Sequence, residues 1–147
     1  MEKLLQNITH LINTNAKIDD PRSRHSDDRS ALDIYVQQIE DYLYVLEDMV
    51  QTLGKTVKQL RHQQQYFQGL TSEEEQTAIQ FSLEGKTSLA RAARSRGAVM
   101  QQATEAYQTE AELQNERFLA LMDAKLRLEA RLTVVNQQRA LMFEPAV

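Results

Sequence analysis

The chain has 147 residues, a formal net charge of −4 and no Cys. This length allows one domain with a sizeable core. The lack of Cys excludes disulfides, thiolate metal ligands and a Cys nucleophile, and the negative charge does not favour non-specific binding to nucleic acid or anionic lipid. Since only four Gly and two Pro interrupt the chain, the composition predicts long helices.

Residues 1–13 are predicted to form an N-terminal amphipathic helix. Its docking face would comprise Leu4, Leu5, Ile8 and Leu11, which recur at helical spacing. A helix of about three turns is marginal alone in water, so it must dock on something. Residues 14–28 contain one large apolar side chain and a Pro, which predicts a flexible linker. The helix then either caps its own domain or occupies the groove of a partner.

Residues 29–147 are predicted to form a helical hairpin or coiled-coil domain. Between residues 36 and 67 a stripe recurs at alternating steps of four and three, with Gln64 as its one polar member. Its apolar members are Val36, Ile39, Leu43, Leu46, Val50, Leu53, Val57, Leu60 and Phe67. A repeat averaging 3.5 residues keeps one face against one partner helix, so this stripe predicts a coiled-coil seam.

The turn of the hairpin is predicted at Gly69–Ser72. The first long helix would start near Ser30, where a capping box is available, and end at Gly69, a favoured stop residue. New caps follow at once, so the two helices would be antiparallel neighbours. Facing residue numbers would then add to about 141, which sets Glu47 beside Arg94.

The second helical region, 72–143, has a less regular seam. The members of this seam are Ala90, Ala93, Gly97, Met100, Thr104, Tyr107, Ala111, Gln114, Phe118, Leu121, Lys125, Leu128, Leu132 and Val135. Gly85 is a second candidate stop, followed by Lys86-Thr87-Ser88 as a restart. Whether the helix continues through Gly85 and Gly97 stays open.

A turn at Gly69 would leave the segment 111–143 overhanging, because the second region exceeds the first by many turns. This segment is apolar on more than one face, which is typical of a helix buried by more than one neighbour. The segment is therefore predicted to form an oligomer or partner interface. The interface residues would be Phe118, Leu121, Met122, Leu128, Leu132 and Val135.

No residue cluster indicates catalysis, a cofactor or a metal. Gly85-Lys86-Thr87 resembles the end of a phosphate-binding loop, but Gln80 stands where that loop needs a Gly, and no strand precedes it. The three His lie in three separate segments. The densest basic stretch comprises Lys86, Arg91, Arg94 and Arg96, without the interleaved aromatic residues expected for single-strand binding.

Four Tyr cluster on the first long helix, mostly off the seam. They are Tyr35, Tyr42, Tyr44 and Tyr66. They either pack beside the seam or form a second contact face, since Tyr is enriched at protein interfaces.

The sequence predicts an all-α protein that is not an enzyme. It indicates a helical assembly protein, that is, a structural subunit, adaptor or chaperone acting through coiled-coil contacts. The alternative is a regulatory binding module whose tethered N-terminal helix docks in a partner groove, and a nucleic-acid-associated factor ranks below both. The expected partners are protein helices, either as a homo-oligomer or within a larger assembly. No apolar run reaches membrane-spanning length, so the expected location is the cytoplasm or an assembled particle.

Overall fold

The computed structural model describes residues 1–13 and 26–143. It contains three helices: α1 (Glu2–Asn13), α2 (Ser26–Leu83) and α3 (Thr87–Phe143). The long helices α2 and α3 pack against each other as a helical hairpin, and the described residues form no strand. The predicted fold class is therefore confirmed.

The helix α2 begins earlier than predicted, at Ser26 instead of near Ser30. Residues 26–28, which were expected to end the linker, belong to its first turn. The sequence offers Ser and Asp, both favoured at helix starts, from Ser26 onward. The rest of the predicted linker, 14–25, lies outside the described residues.

The hairpin reverses at Gly85, not at Gly69–Ser72. Gly85 has a φ of 75°, the left-handed conformation that Gly adopts without a Cβ penalty. Its N–H donates to the Ser82 carbonyl at 3.1 Å, and the Lys86 N–H donates to the Phe81 carbonyl at 2.8 Å. These two bonds satisfy carbonyls at the end of α2 in the pattern of a Schellman motif.

The predicted turn at Gly69 is wrong because α2 continues through that residue. A Gly inside a helix costs about 1 kcal/mol relative to Ala, which seam packing on both sides offsets. The 3.5-residue repeat in fact runs on past Phe67 through Thr71, Glu74, Ala78 and Phe81, all of which are buried or half-buried. These four residues include a Thr and a Glu, so they do not stand out as an apolar stripe.

Because the turn lies at Gly85, the two long helices are nearly equal in length, with 58 residues in α2 and 57 in α3. The predicted overhang of 111–143 therefore does not exist.

The chain divides into two compact units. The first comprises Met1–Gln51 and Phe118–Val147, and the second comprises Thr52–Arg117. In the first unit the buried core joins all three helices. Its residues are Ile8, Leu32, Tyr35, Val36, Ile39, Leu46, Leu121, Ala124, Leu128 and Val135.

The second unit is built around small residues. Ala78, Ala90, Ala93 and Ala111 are buried, which allows the helix backbones to approach closely. The Phe67 and Tyr107 rings stack with their centroids 5.5 Å apart.

The second unit also shows the true pairing of the helices. Arg96 Nη2 lies 3.3 Å from Glu74 Oε2, an ion pair without hydrogen-bond geometry. Facing numbers here add to about 170, so the predicted pairing of Glu47 with Arg94 is wrong.

Candidate protein interface

The N-terminal helix docks on its own chain. Ile8 is 1% exposed, and Leu4, Leu5 and Leu11 are half-buried. The Tyr35 hydroxyl of α2 donates a hydrogen bond to the Leu11 carbonyl at 2.6 Å. This bond satisfies a carbonyl near the end of α1, where helix carbonyls lack partners of their own.

Arg131 of α3 completes this contact from the other side. Its Nε donates to the Tyr35 hydroxyl at 3.3 Å, and its guanidinium lies 5.9 Å from the centroid of the Tyr35 ring. The Nη2 atom is buried and has no hydrogen-bond partner among the described residues. Tyr35 therefore ties all three helices together through one hydroxyl group.

A groove of about 580 Å³ runs between α1 and α2 beside this contact. Its walls comprise Asn7, His10, Leu11, Tyr35, Gln38, Asp41 and Tyr42. Of the four clustered tyrosines, Tyr35 is buried and Tyr42 is half-buried. Tyr44 and Tyr66 are exposed to solvent. Two of the four Tyr therefore pack beside α1, and the other two lie on the exposed surface.

The nine apolar residues predicted for the seam of α2 all lie against the fold. Val36, Ile39 and Leu46 are buried, and the others are half-buried. The seam predicted for α3 is likewise buried or half-buried at every position from Ala90 to Val135.

The six residues predicted for the oligomer interface lie in this same hairpin. Leu121, Leu128 and Val135 are fully buried within the single chain, and Phe118, Met122 and Leu132 are half-buried. The length mismatch that motivated this prediction is wrong. An assembly through these particular residues stays a prediction, but three of them have no surface left to offer a partner.

A different face of α3 remains apolar and exposed. Leu119, Leu126, Val134 and Leu141 are between 42% and 70% exposed, and none of the described residues buries them. We call these four residues the α3 stripe. They are spaced seven, eight and seven residues apart. At 3.6 residues per turn their side chains fall within an arc of about 80° on one helix face.

The sequence did contain these four residues among the many apolar positions of 111–143. It could not separate them from the seam, because both sets lie in the same segment at helical spacing. Only the packing of α2 against α3 shows which set is buried and which is exposed.

The basic stretch near the turn is partly neutralised. Besides the Arg96 pair with Glu74, Lys86 Nζ lies 3.0 Å from Glu84 Oε2. Gln80 and Lys86 donate hydrogen bonds to the Glu84 carboxylate, which lowers the pKa of that group. Arg94 donates to the Ser82 hydroxyl at 3.1 Å. Two of the four basic residues are thus paired with carboxylates, which reduces the positive charge of this stretch.

Within ranges 1–13 and 26–143, no three His, Asp or Glu side chains come together to hold a metal. A second shallow groove, about 380 Å³, lies over Ala78, Ala93 and Gly97 in the second unit, and its other walls are mostly the flanks of the two helices.

In the part of the chain that the structure describes, no helix is long and apolar enough to cross a bilayer.

Comparison with known proteins adds no family to this picture. No protein-family model matches the chain, and no curated protein sequence resembles it significantly.

Proposed function

We propose that this protein is a non-enzymatic helical assembly protein, a structural subunit, adaptor or chaperone, that binds another helix through the α3 stripe. It would act in the cytoplasm or within an assembled particle. The observation that supports this proposal is the set of four large, exposed apolar side chains on one face of α3. Single exposed Leu residues are normal on soluble proteins, whereas several exposed apolar residues grouped on one face support an interaction surface.

The stripe repeats at the two-turn interval that helix-to-helix recognition includes. Amphipathic helices bind partners through anchors on one face at positions i, i+3 or i+4, and i+7. The stripe covers 23 residues of α3, from Leu119 to Leu141, a distance of about 33 Å along the axis. A partner helix of comparable length would therefore bury all four side chains at once.

Energetics favour covering this surface. Fully burying a Leu or Val side chain stabilises by about 1.5–3 kcal/mol relative to leaving it exposed. The four residues are only partly exposed, so each would contribute less than this. Together the four residues can still stabilise a complex, because a few residues contribute most of the binding energy at a typical interface.

The regulatory alternative needs α1 to leave its own chain. The burial of Ile8 and the bond between Tyr35 and Leu11 favour a docked α1 in the isolated molecule. No described contact favours release, so the assembly proposal is preferred. A nucleic-acid role is not favoured either, because the ion pairs of Lys86 and Arg96 reduce the positive charge of the basic stretch.

The experiment is gradient sedimentation of the tagged full chain in extract of its own organism. The wild type should migrate well above the mass of one chain. Leu126→Lys should shift it towards a smaller particle, because a charge in an apolar contact is left unpaired. The matched control is Leu113→Lys, since Leu113 is also an exposed Leu of α3 but lies off the stripe.

Two outcomes would contradict the proposal. One is wild-type migration at the mass of a single chain. The other is an equal effect of Leu113→Lys and Leu126→Lys.

A further inference from the structure

The α3 stripe is symmetric about its own centre. Leu119 and Leu141 lie equally far from Ala130, and so do Leu126 and Val134. Ala130 is exposed and lies on the same face of the helix. If α3 meets an antiparallel copy of itself with a two-fold axis at Ala130, every apolar member therefore finds an apolar partner.

The polar positions within the stripe follow the same symmetry. Asp123 and Gln137 lie on this face, equally far from Ala130, and both are exposed. In the antiparallel arrangement the Gln137 amide of one copy meets the Asp123 carboxylate of the other. An amide NH₂ donates and a carboxylate only accepts, so the two groups are complementary. Asp123 Oδ2 also pairs with Arg127 Nε of its own helix at 3.1 Å, which leaves the carboxylate further acceptor capacity.

We propose that the partner of the α3 stripe is a second copy of this chain, bound antiparallel in a two-fold dimer centred on Ala130. This inference rests on the proposed function and identifies its partner. A two-fold interface uses the same patch on both subunits, so residue i of one copy meets residue j of the other and the reverse. The match of Leu119 with Leu141, Leu126 with Val134 and Asp123 with Gln137 meets this requirement.

A parallel dimer fits less well. It would place Asp123 opposite Asp123 of the other copy, and like charges across an interface disfavour association. It would also align the two helix dipoles, whereas an antiparallel pair sets each positive end beside a negative one. The small side chain of Ala130 at the axis lets the two helices approach closely.

The first test is crosslinking of the purified full chain. Since the native chain has no Cys, Ala130→Cys introduces a single thiol. A short bismaleimide should join most of the A130C chains into covalent dimers, because the two thiols lie together at the axis. The control is Ala106→Cys, an exposed Ala of α3 outside the stripe, which should react without forming dimers.

The second test introduces opposite charges at two positions that face each other across the two-fold axis. Leu126→Lys and Val134→Glu should each weaken the dimer about tenfold or more, measured by sedimentation across a concentration series. The double variant L126K/V134E should recover much of the loss, because each Lys then meets a Glu of the other copy. In a parallel dimer like charges would meet instead, so no recovery would follow.

The outcomes separate this inference from the proposed function. A purified wild type that stays monomeric at tens of micromolar overturns the dimer, as does a dimer that L126K leaves unchanged. Failure of both A130C crosslinking and double-variant recovery overturns the antiparallel arrangement. If the purified chain is monomeric but migrates in a larger particle in extract, the proposed function stands with a foreign partner. If it is monomeric in both, the two proposals fail together.

Discussion

Tyr35 and Arg131 are 96 residues apart in the chain, yet the Arg131 Nε–H donates to the Tyr35 hydroxyl at 3.3 Å. The same hydroxyl donates to the Leu11 carbonyl at 2.6 Å. One oxygen atom thus connects α1, α2 and α3. Because Tyr35 is buried, the loss of this oxygen would remove both hydrogen bonds from a largely buried site.

Tyr35→Phe should therefore destabilise the first unit by about 1–3 kcal/mol in urea unfolding. Hydrogen exchange should show faster exchange of the α1 amides, since α1 loses its bond to α2. The control is Tyr44→Phe, which removes a hydroxyl from a side chain that is 79% exposed. Equal effects of the two substitutions would mean that the Tyr35 hydroxyl does not hold α1.

The seam of α2 predicts a sharp contrast between two neighbouring residues. Leu46 is fully buried, whereas Val45 is exposed on another face of the helix. Leu46→Ala should destabilise by about 2–5 kcal/mol, because it leaves a cavity in a packed site. Val45→Ala should change stability by about 0.5 kcal/mol or less. Denaturant melting checks both, and a loss below about half a kcal/mol for Leu46→Ala would refute the seam.

The position of the turn predicts opposite signs for two Gly substitutions. Gly85→Ala places a Cβ on a residue with a φ of 75°, which should destabilise by about 1–2 kcal/mol. Gly69→Ala should stabilise by up to about 1 kcal/mol, because Gly69 lies inside α2 and an added Cβ would meet nothing within 4 Å. Thermal unfolding of the two variants gives both signs. The reverse pattern would place the turn at Gly69.

Periodicity in the sequence was enough to predict much of this fold. The apolar spacing of residues 36–67 and the small residues Ala90 and Ala93 predicted which faces the two long helices bury. The pattern of Leu4, Leu5, Ile8 and Leu11 likewise predicted a short helix. These features could be predicted because they depend on local spacing along one helix.

The turn could not be predicted in the same way. Gly69-Leu70-Thr71-Ser72 and Gly85-Lys86-Thr87-Ser88 offer nearly equal stop and restart signals. The choice depends on which turn pairs the two seams along their full length, such as Phe67 with Tyr107. That is a non-local property, and the wrong choice produced the predicted overhang.

The candidate interface depended on the same choice. Leu126 and Leu128 are two residues apart and equally apolar, but only the pairing of α2 with α3 makes one exposed and the other buried. The sequence therefore predicted that 111–143 has more than one apolar face, while five of the six predicted interface residues were also members of the predicted seam.

The fold and the proposed assembly together require that α3 has two apolar faces with separate roles, one for the fold and one for assembly. Thermal unfolding of Leu128→Lys and Leu126→Lys, compared at low protein concentration, tests this division. A truncation in the core lowers the free energy of unfolding by about 2–5 kcal/mol. Leu128→Lys should lower it at least as much, because this substitution also buries a charge. Leu126→Lys should remain within about 0.5 kcal/mol of the wild type, since its side chain stays in solvent. If Leu126→Lys unfolds the protein as severely as Leu128→Lys, residue 126 belongs to the core and α3 has no free face for a partner.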